Sequence, residues 1–127
     1  MSKLVVSIVV SAFCLVAACG GSTPVDKMVG HMEKLASILE DNKANPDKAG
    51  DAVAAYMKDN EASLKAAKDE AEKYMDTMKE GDKMDVDAMT KVMEKVAPIM
   101  ERMEKLKKEN PELMKNEKVH DAMRMMR

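Results

Sequence analysis

At 127 residues the chain has room for one small domain after a short N-terminal segment. Its 21 Lys and Arg against 23 Asp and Glu give a formal net charge of −2, which excludes the basic face that nucleic acid demands. Aromatic residues are only 2% and Trp is absent, so there is no stacking platform for bases or sugars, whereas Met is abundant at 15 residues.

Met1-Ser2-Lys3 gives a basic start, and Leu4 to Ala18 is apolar apart from Ser7 and Ser11. The run is shorter than the roughly 20 apolar residues of a spanning helix, and it ends in Leu15-Val16-Ala17-Ala18-Cys19. A basic beginning, an apolar middle and small residues before a cut are the marks of an export signal. With Cys at the cut, the segment resembles the lipobox of bacterial lipoproteins. That resemblance implies that residues 1–18 are removed as a signal peptide and that Cys19, diacylated on its thiol, becomes the first residue. Gly20-Gly21-Ser22-Thr23 completes a lipidated, flexible tether over 19–23. Gly20 rather than Asp after the Cys implies the outer membrane if the host is Gram-negative. An uncleaved anchor, or a plain signal peptide that happens to contain Cys19, is the alternative. Cys14 leaves with the signal and Cys19 is acylated, so no disulfide is expected in the mature chain.

Residues 24–127 are rich in Ala, Met, Lys and Glu, which favour helix over strand. Thr23-Pro24, Asn45-Pro46 and Asn110-Pro111 each place a capping oxygen before a proline, whose missing N–H costs nothing at the first helical position. A fourth start falls near Asp82 or Asp85, after Gly81 at a helix end. The first helix, about 24–41, carries Val25, Met28, Met32, Leu35 and Leu39 as one stripe. The second, about 46–80, keeps a period near 3.5 through Val53, Met57, Asn60, Leu64, Ala67, Ala71, Tyr74 and Met78. Asn60 either fixes register within a continuous helix, the favoured reading, or caps a fresh start. The third, about 85–109, carries Met89, Val92, Met93, Val96, Met100, Met103 and Leu106, with Pro98 expected to kink it. The last, from Pro111, carries Leu113, Met114, Val119, Met123 and Met126, with a break near Asn116.

Short connections favour antiparallel neighbours. The expected fold is all-α, an elongated antiparallel three- to four-helix bundle with coiled-coil-like packing. The first helix is expected on the N-terminal half of the second, the last on its C-terminal half, and the third along most of its length.

Methionine is the first candidate for chemistry, because thioethers bind soft Cu(I). Met75/Met78, Met100/Met103 and Met123/Met126 each place two sulfurs on one helical face, and Met28 with His31 and His120 with Met123 are mixed pairs at the same spacing. The competing reading is core packing, since Met fills irregular gaps. A bundle with Met near its start and His near its end is similar to the b-type haem bundle cytochromes, which implies Met28 or Met32 with His120 as axial ligands. The chain lacks a Cys-x-x-Cys-His motif and has few aromatics to line a haem pocket. The two histidines otherwise read as solvated helix residues. Carboxylates alternate with Lys on exposed faces, as in Glu101 and Lys105. Asp82, Asp85 and Asp87 cluster without the Glu that a calcium loop needs, and no nucleophile–base set or phosphate loop is visible.

The expectation is therefore a non-enzymatic envelope lipoprotein without cofactor, held to the membrane by lipid on Cys19. Its bundle is expected to serve a structural role, to bind a protein partner or to self-associate. The metal alternative is a copper-binding module using Met28, His31, His120 and Met123. A third possibility is protection against stress, with Met residues as oxidant scavengers or as an adaptable groove for client proteins.

Overall fold

The structure, a computed structural model, describes residues 24–79 and 85–126. The signal segment, Cys19, the 20–23 tether and the expectations placed on Thr23, Gly81 and Asp82 lie outside the described residues. Within them the regular structure is all-α, in six helices: α1 (Pro24–Asp41), α2 (Pro46–Asp59), α3 (Glu61–Thr77), α4 (Val86–Glu109), α5 (Pro111–Lys115) and α6 (Glu117–Met125).

The helix starts follow local chemistry. Asn45 accepts from Lys48 N at 3.0 Å, with Pro46 next in line, and Asp85 accepts from Ala88 N at the same distance. Each satisfies an amide that the first turn leaves without a partner. Asn116 accepts from Lys118 N at 3.1 Å and Val119 N at 3.3 Å, which divides the last segment into α5 and α6. Asn110 makes no side-chain cap, and Pro111 alone marks the start of α5. Pro98 lies within the unbroken span of α4 on its exposed side, where it removes one backbone donor.

The long second helix divides at Asn60, which is a difference from the favoured expectation. Asn60 donates from its side-chain Nδ2 to Tyr56 O at 2.9 Å, and its backbone sits at φ −115°, ψ 16°. Such local bonds offer the backbone an alternative to regular helix. The interruption is one residue wide, because Asn60 N still bonds Tyr56 O and Leu64 N still bonds Asn60 O. The apolar seam therefore continues across the break, with Val53, Leu64, Ala67 and Met78 all buried.

Helix α1 is the hub, with α2, α3 and α4 all packed on it. Lys27 pairs with Glu70 and His31 approaches Ser63, so α1 and α3 run in opposite directions. Asp26 pairs with Lys95 and Glu40 with Arg102, so α1 and α4 run the same way. α1 covers α3 as well as α2, not only the N-terminal half of the expected second helix. Two further expected neighbours are corrected. Among the described residues α4 makes no close backbone approach to α2 or α3 and lies on α1 instead, and α6 packs on α2 rather than on the C-terminal half of that segment. Topology explains both. A helix parallel to α1 delivers the chain to the end where α2 begins, and the short α5 turns it onto α2.

Two core clusters result. The larger gathers Leu35 and Leu39 of α1 with Ala49, Val53, Leu106, Leu113, Val119 and Ala122. The smaller holds Val25, Val29 and Ala36 of α1 with Ile99 of α4. The α1 stripe is wider than one seam, because this helix meets neighbours on more than one side. Docking of α6 depends on Gly50, where a Cβ would lie 2.3 Å from Asn116 Oδ1. Lys118 pairs with Asp51, and Asn116 Nδ2 donates to Asp47 Oδ1 at 3.4 Å across the same contact.

Candidate functional site: a methionine-lined groove

α4 lies on α1 and α6 on α2 without a close backbone approach to each other, and an apolar groove of about 320 Å³ opens between them. Its floor is Leu35 and Leu39 of α1, Val53 of α2 and Ile99 of α4. Its walls are methionines, with Met100 and Met103 from α4, Met123 from α6 and Met126 at the cap that ends α6, and Met32 of α1 joins them. Glu104 and Lys107 stand at the mouth as the charged residues of the lining.

Why these side chains stay around open space follows from the α4 pattern. The residues that α4 turns inward are Val92, Val96, Ile99, Met103 and Leu106, of which Ile99 and Leu106 are fully buried. Ile99 was missing from the sequence stripe, which held Met93 and Met100 instead. Both of these are about half exposed, at 52% and 53%. A helix that rests on one neighbour cannot bury an apolar face this wide, so its edge remains open. Met125 at 58% exposure continues the apolar surface at the end of α6.

A polar junction lies on another side of α1. His31 Nδ1 is 2.6 Å from the Tyr56 hydroxyl and Nε2 is 3.0 Å from Ser63 Oγ, so one imidazole ties α1 to α2 and to α3 across the Asn60 break. The rings meet edge-on with centroids 6.0 Å apart. A neutral imidazole donates from one nitrogen and accepts at the other, and hydroxyls satisfy either tautomer. Burial pushes the His31 pKa below its ordinary value and the Tyr56 pKa above its own. His31 is thus a half-buried interhelix link rather than the solvated residue expected. The hint in the sequence was its position one residue before Met32 on the α1 stripe.

Arg102 and Glu40 join α4 to α1 at the groove end. Nε donates to Oε1 at 2.9 Å and Nη2 to Oε2 at 2.7 Å, while Nη2 also reaches Ser37 Oγ at 3.2 Å. This hydrogen-bonded pairing with Arg102 holds the Glu40 carboxyl below its usual value.

The sequence-expected site residues are distributed as follows. Met123 lines the groove, whereas His120 is exposed on α6. Met28 borders a second cleft with Met75 of α3 and with Met126, which also lines the groove, and both ring nitrogens of His31 are engaged. α1 and α6 make no close backbone approach, so the Met28/His31 and His120/Met123 pairs stay apart. Among the described residues no group of three or more His, Cys, Asp or Glu could hold a metal ion. The thioether pairs Met100/Met103 and Met123/Met126, read separately in the sequence, line the same groove. No helix of the described residues is long and apolar enough to cross a membrane.

No family model, curated protein or solved structure matches the chain.

Proposed function

We propose that the chain is a lipid-anchored lipoprotein of the bacterial cell envelope without catalytic chemistry of its own. Its helices act as one elongated bundle with coiled-coil-like packing, in which α1 is antiparallel to α3 and parallel to α4, and they hold a methionine-lined groove open to the apolar face of a protein partner. The observation that carries the binding role is the groove itself, with five methionines around unfilled apolar space. Methionine walls suit such a role because the unbranched thioether side chain repacks around different apolar shapes. The address rests on the Leu15–Cys19 motif. Acyl chains on Cys19 would contribute about 0.8 kcal/mol per buried methylene, which makes several chains a stable anchor.

Two measurements test this reading. Radiolabelled palmitate should enter the native chain and not Cys19→Ala, and only the native chain should sediment with membranes. An N-terminus found at Met1, or a bare Cys19 thiol, removes the address. A photoreactive amino acid replacing Met100 should give one discrete protein adduct in cells, and the same group replacing exposed Ala54 on α2 should not. Equal labelling from both positions removes the groove as the binding surface.

A further inference from the structure

We propose that the groove binds one soft monovalent metal ion, Cu(I) or Ag(I), through the thioether sulfurs of Met100 and Met103 on α4, Met123 on α6 and Met126, the residue that caps the end of α6. This rests on the groove being the binding surface of the protein, and needs neither the lipid anchor nor a protein partner.

Four features point the same way. Residues three apart on a helix share a face, so each wall presents a pair of sulfurs, and the two pairs line the same groove. The walls are not joined by backbone packing, and a side chain with three rotatable bonds can bring its sulfur across the gap. The core beneath is already filled by Leu39, Val53, Leu113 and Val119, each at 2% exposure or less. The groove above it, about 320 Å³, is open at the surface, so its methionine sulfurs are reachable by an ion and are not needed to fill the core. Finally, the donor set is selective. Thioethers favour Cu(I) over hard cations, and the lining offers neither the imidazole and thiolate groups that Zn(II) uses nor the several oxygens that Ca(II) and Mg(II) require. Glu104 at the mouth supplies one carboxylate against the single positive charge of the ion.

Neutral thioethers carry no proton for the metal to displace. Binding is therefore insensitive to pH between 5 and 8, whereas an imidazole site weakens as histidine protonates. The ion binds and leaves as Cu(I) or Ag(I), without electron transfer.

The test is a titration of the full chain, carrying Cys14→Ser and Cys19→Ser to remove competing thiols, with silver nitrate in detergent micelles and chloride-free buffer. Calorimetry gives stoichiometry and affinity, and 13C-methyl methionine spectra locate the site. The expected result is one ion per chain, joint shifts of the Met100, Met103, Met123 and Met126 methyls, and equal affinity at pH 5.5 and 7.5. Adding Met100→Leu and Met123→Leu should lower affinity at least tenfold, with the melting curve unchanged because leucine keeps the apolar volume. Absence of binding, affinity unmoved by the leucine pair, or shifts confined to Met75, Met78, Met89 or Met93 overturns the proposal. So does binding that weakens in acid and moves the His31 or His120 ring. A negative titration leaves the apolar-partner reading standing, and a missing crosslinked adduct leaves the metal site standing.

Discussion

Around the C-terminal half of α1, Leu35 and Leu39 sit in an eight-residue buried cluster drawn from α1, α2, α4, α5 and α6. On another side of α1, reaching back to its N-terminal end, Val25, Val29 and Ala36 meet one buried residue of α4, Ile99. The first region is closed by apolar contact and by caps, with Asn116 seated in the notch at Gly50. The second has fewer buried residues, with Tyr74, Val92 and Val96 only partly buried against it, and the surface ion pairs Lys27–Glu70 and Lys95–Asp26 at its edge. The first carries ion pairs too, Glu40–Arg102 and Lys118–Asp51. Exposed pairs contribute only about 0–1 kcal/mol each, whereas burying a Leu or Val side chain contributes roughly 1.5–3 kcal/mol. A chain that returns a third time past its hub acquires a core there, and where it does not return it relies on weaker contacts. The groove borders both regions, since Leu39 and Ile99 are both in its floor.

The sharpest break of this contrast is a pair of truncations. Large-to-small core changes cost about 2–5 kcal/mol, depending on how far the surroundings collapse. Leu39→Ala should fall in the upper half of that range, because five helices hold its neighbours in place. Ile99→Ala should fall in the lower half, because fewer buried neighbours surround it. Urea unfolding of the two variants decides the order, and a larger loss for Ile99→Ala would mean that the smaller cluster carries the fold.

Two glycines sharpen the same contrast with opposite signs. At Gly30 on α1 nothing lies within 4 Å of the position a methyl would take, so Gly30→Ala should stabilise by up to about 1 kcal/mol through helix propensity. At Gly50 the methyl meets an Asn116 side chain already fixed by its capping bonds. Overpacking of about 1–3 kcal/mol opposes a propensity gain of about 1 kcal/mol, so Gly50→Ala should destabilise by up to about 2 kcal/mol. It should also speed amide exchange in α6 while leaving α3 unchanged. Stabilisation by both alanines would show that Asn116 moves aside at little cost.

These residues mark where the sequence was legible. Helix starts are local, so Asn45-Pro46, Asp85 and Asn116 were readable from a few neighbouring residues, and the seam through Val53, Leu64 and Ala67 was readable from its period. Neighbour choice is not local. Nothing in the spacing of α4 says that Ile99 rather than Met100 turns inward, because both fit a helical stripe and the hub decides between them. Gly50 carried no signal, because its role exists only once Asn116 arrives from 66 positions later in the chain. The Met-x-x-Met pairs were visible, but their lining of one groove depends on α6 lying on α2, a placement that no local spacing encodes.

The smallest expected effects separate the two regions by pH. His31 has a folded pKa pushed below 6.5 by burial, so the unfolded chain takes up the proton first as pH falls. Its contribution is full above pH 6.5 and declines as pH drops through the window below that value. Glu40 has a folded pKa held below 4.5, chiefly by its hydrogen bond to Arg102, so its contribution is full above pH 4.5 and is lost as acid protonates it in the folded chain. Both partners are more than a third exposed, and solvent screening limits this pair to about 0.2–1 kcal/mol. Unfolding midpoints at pH 7.5, 5.5 and 3.5 should therefore fall in two steps. His31→Gln should remove the step between 7.5 and 5.5 and leave the second, and Glu40→Gln should do the reverse. If His31→Gln retained the first step, the junction of α1 with Tyr56 and Ser63 would not be where the helices sense mild acid. The region with the smaller buried cluster would then be no more sensitive to pH than the region closed by leucine.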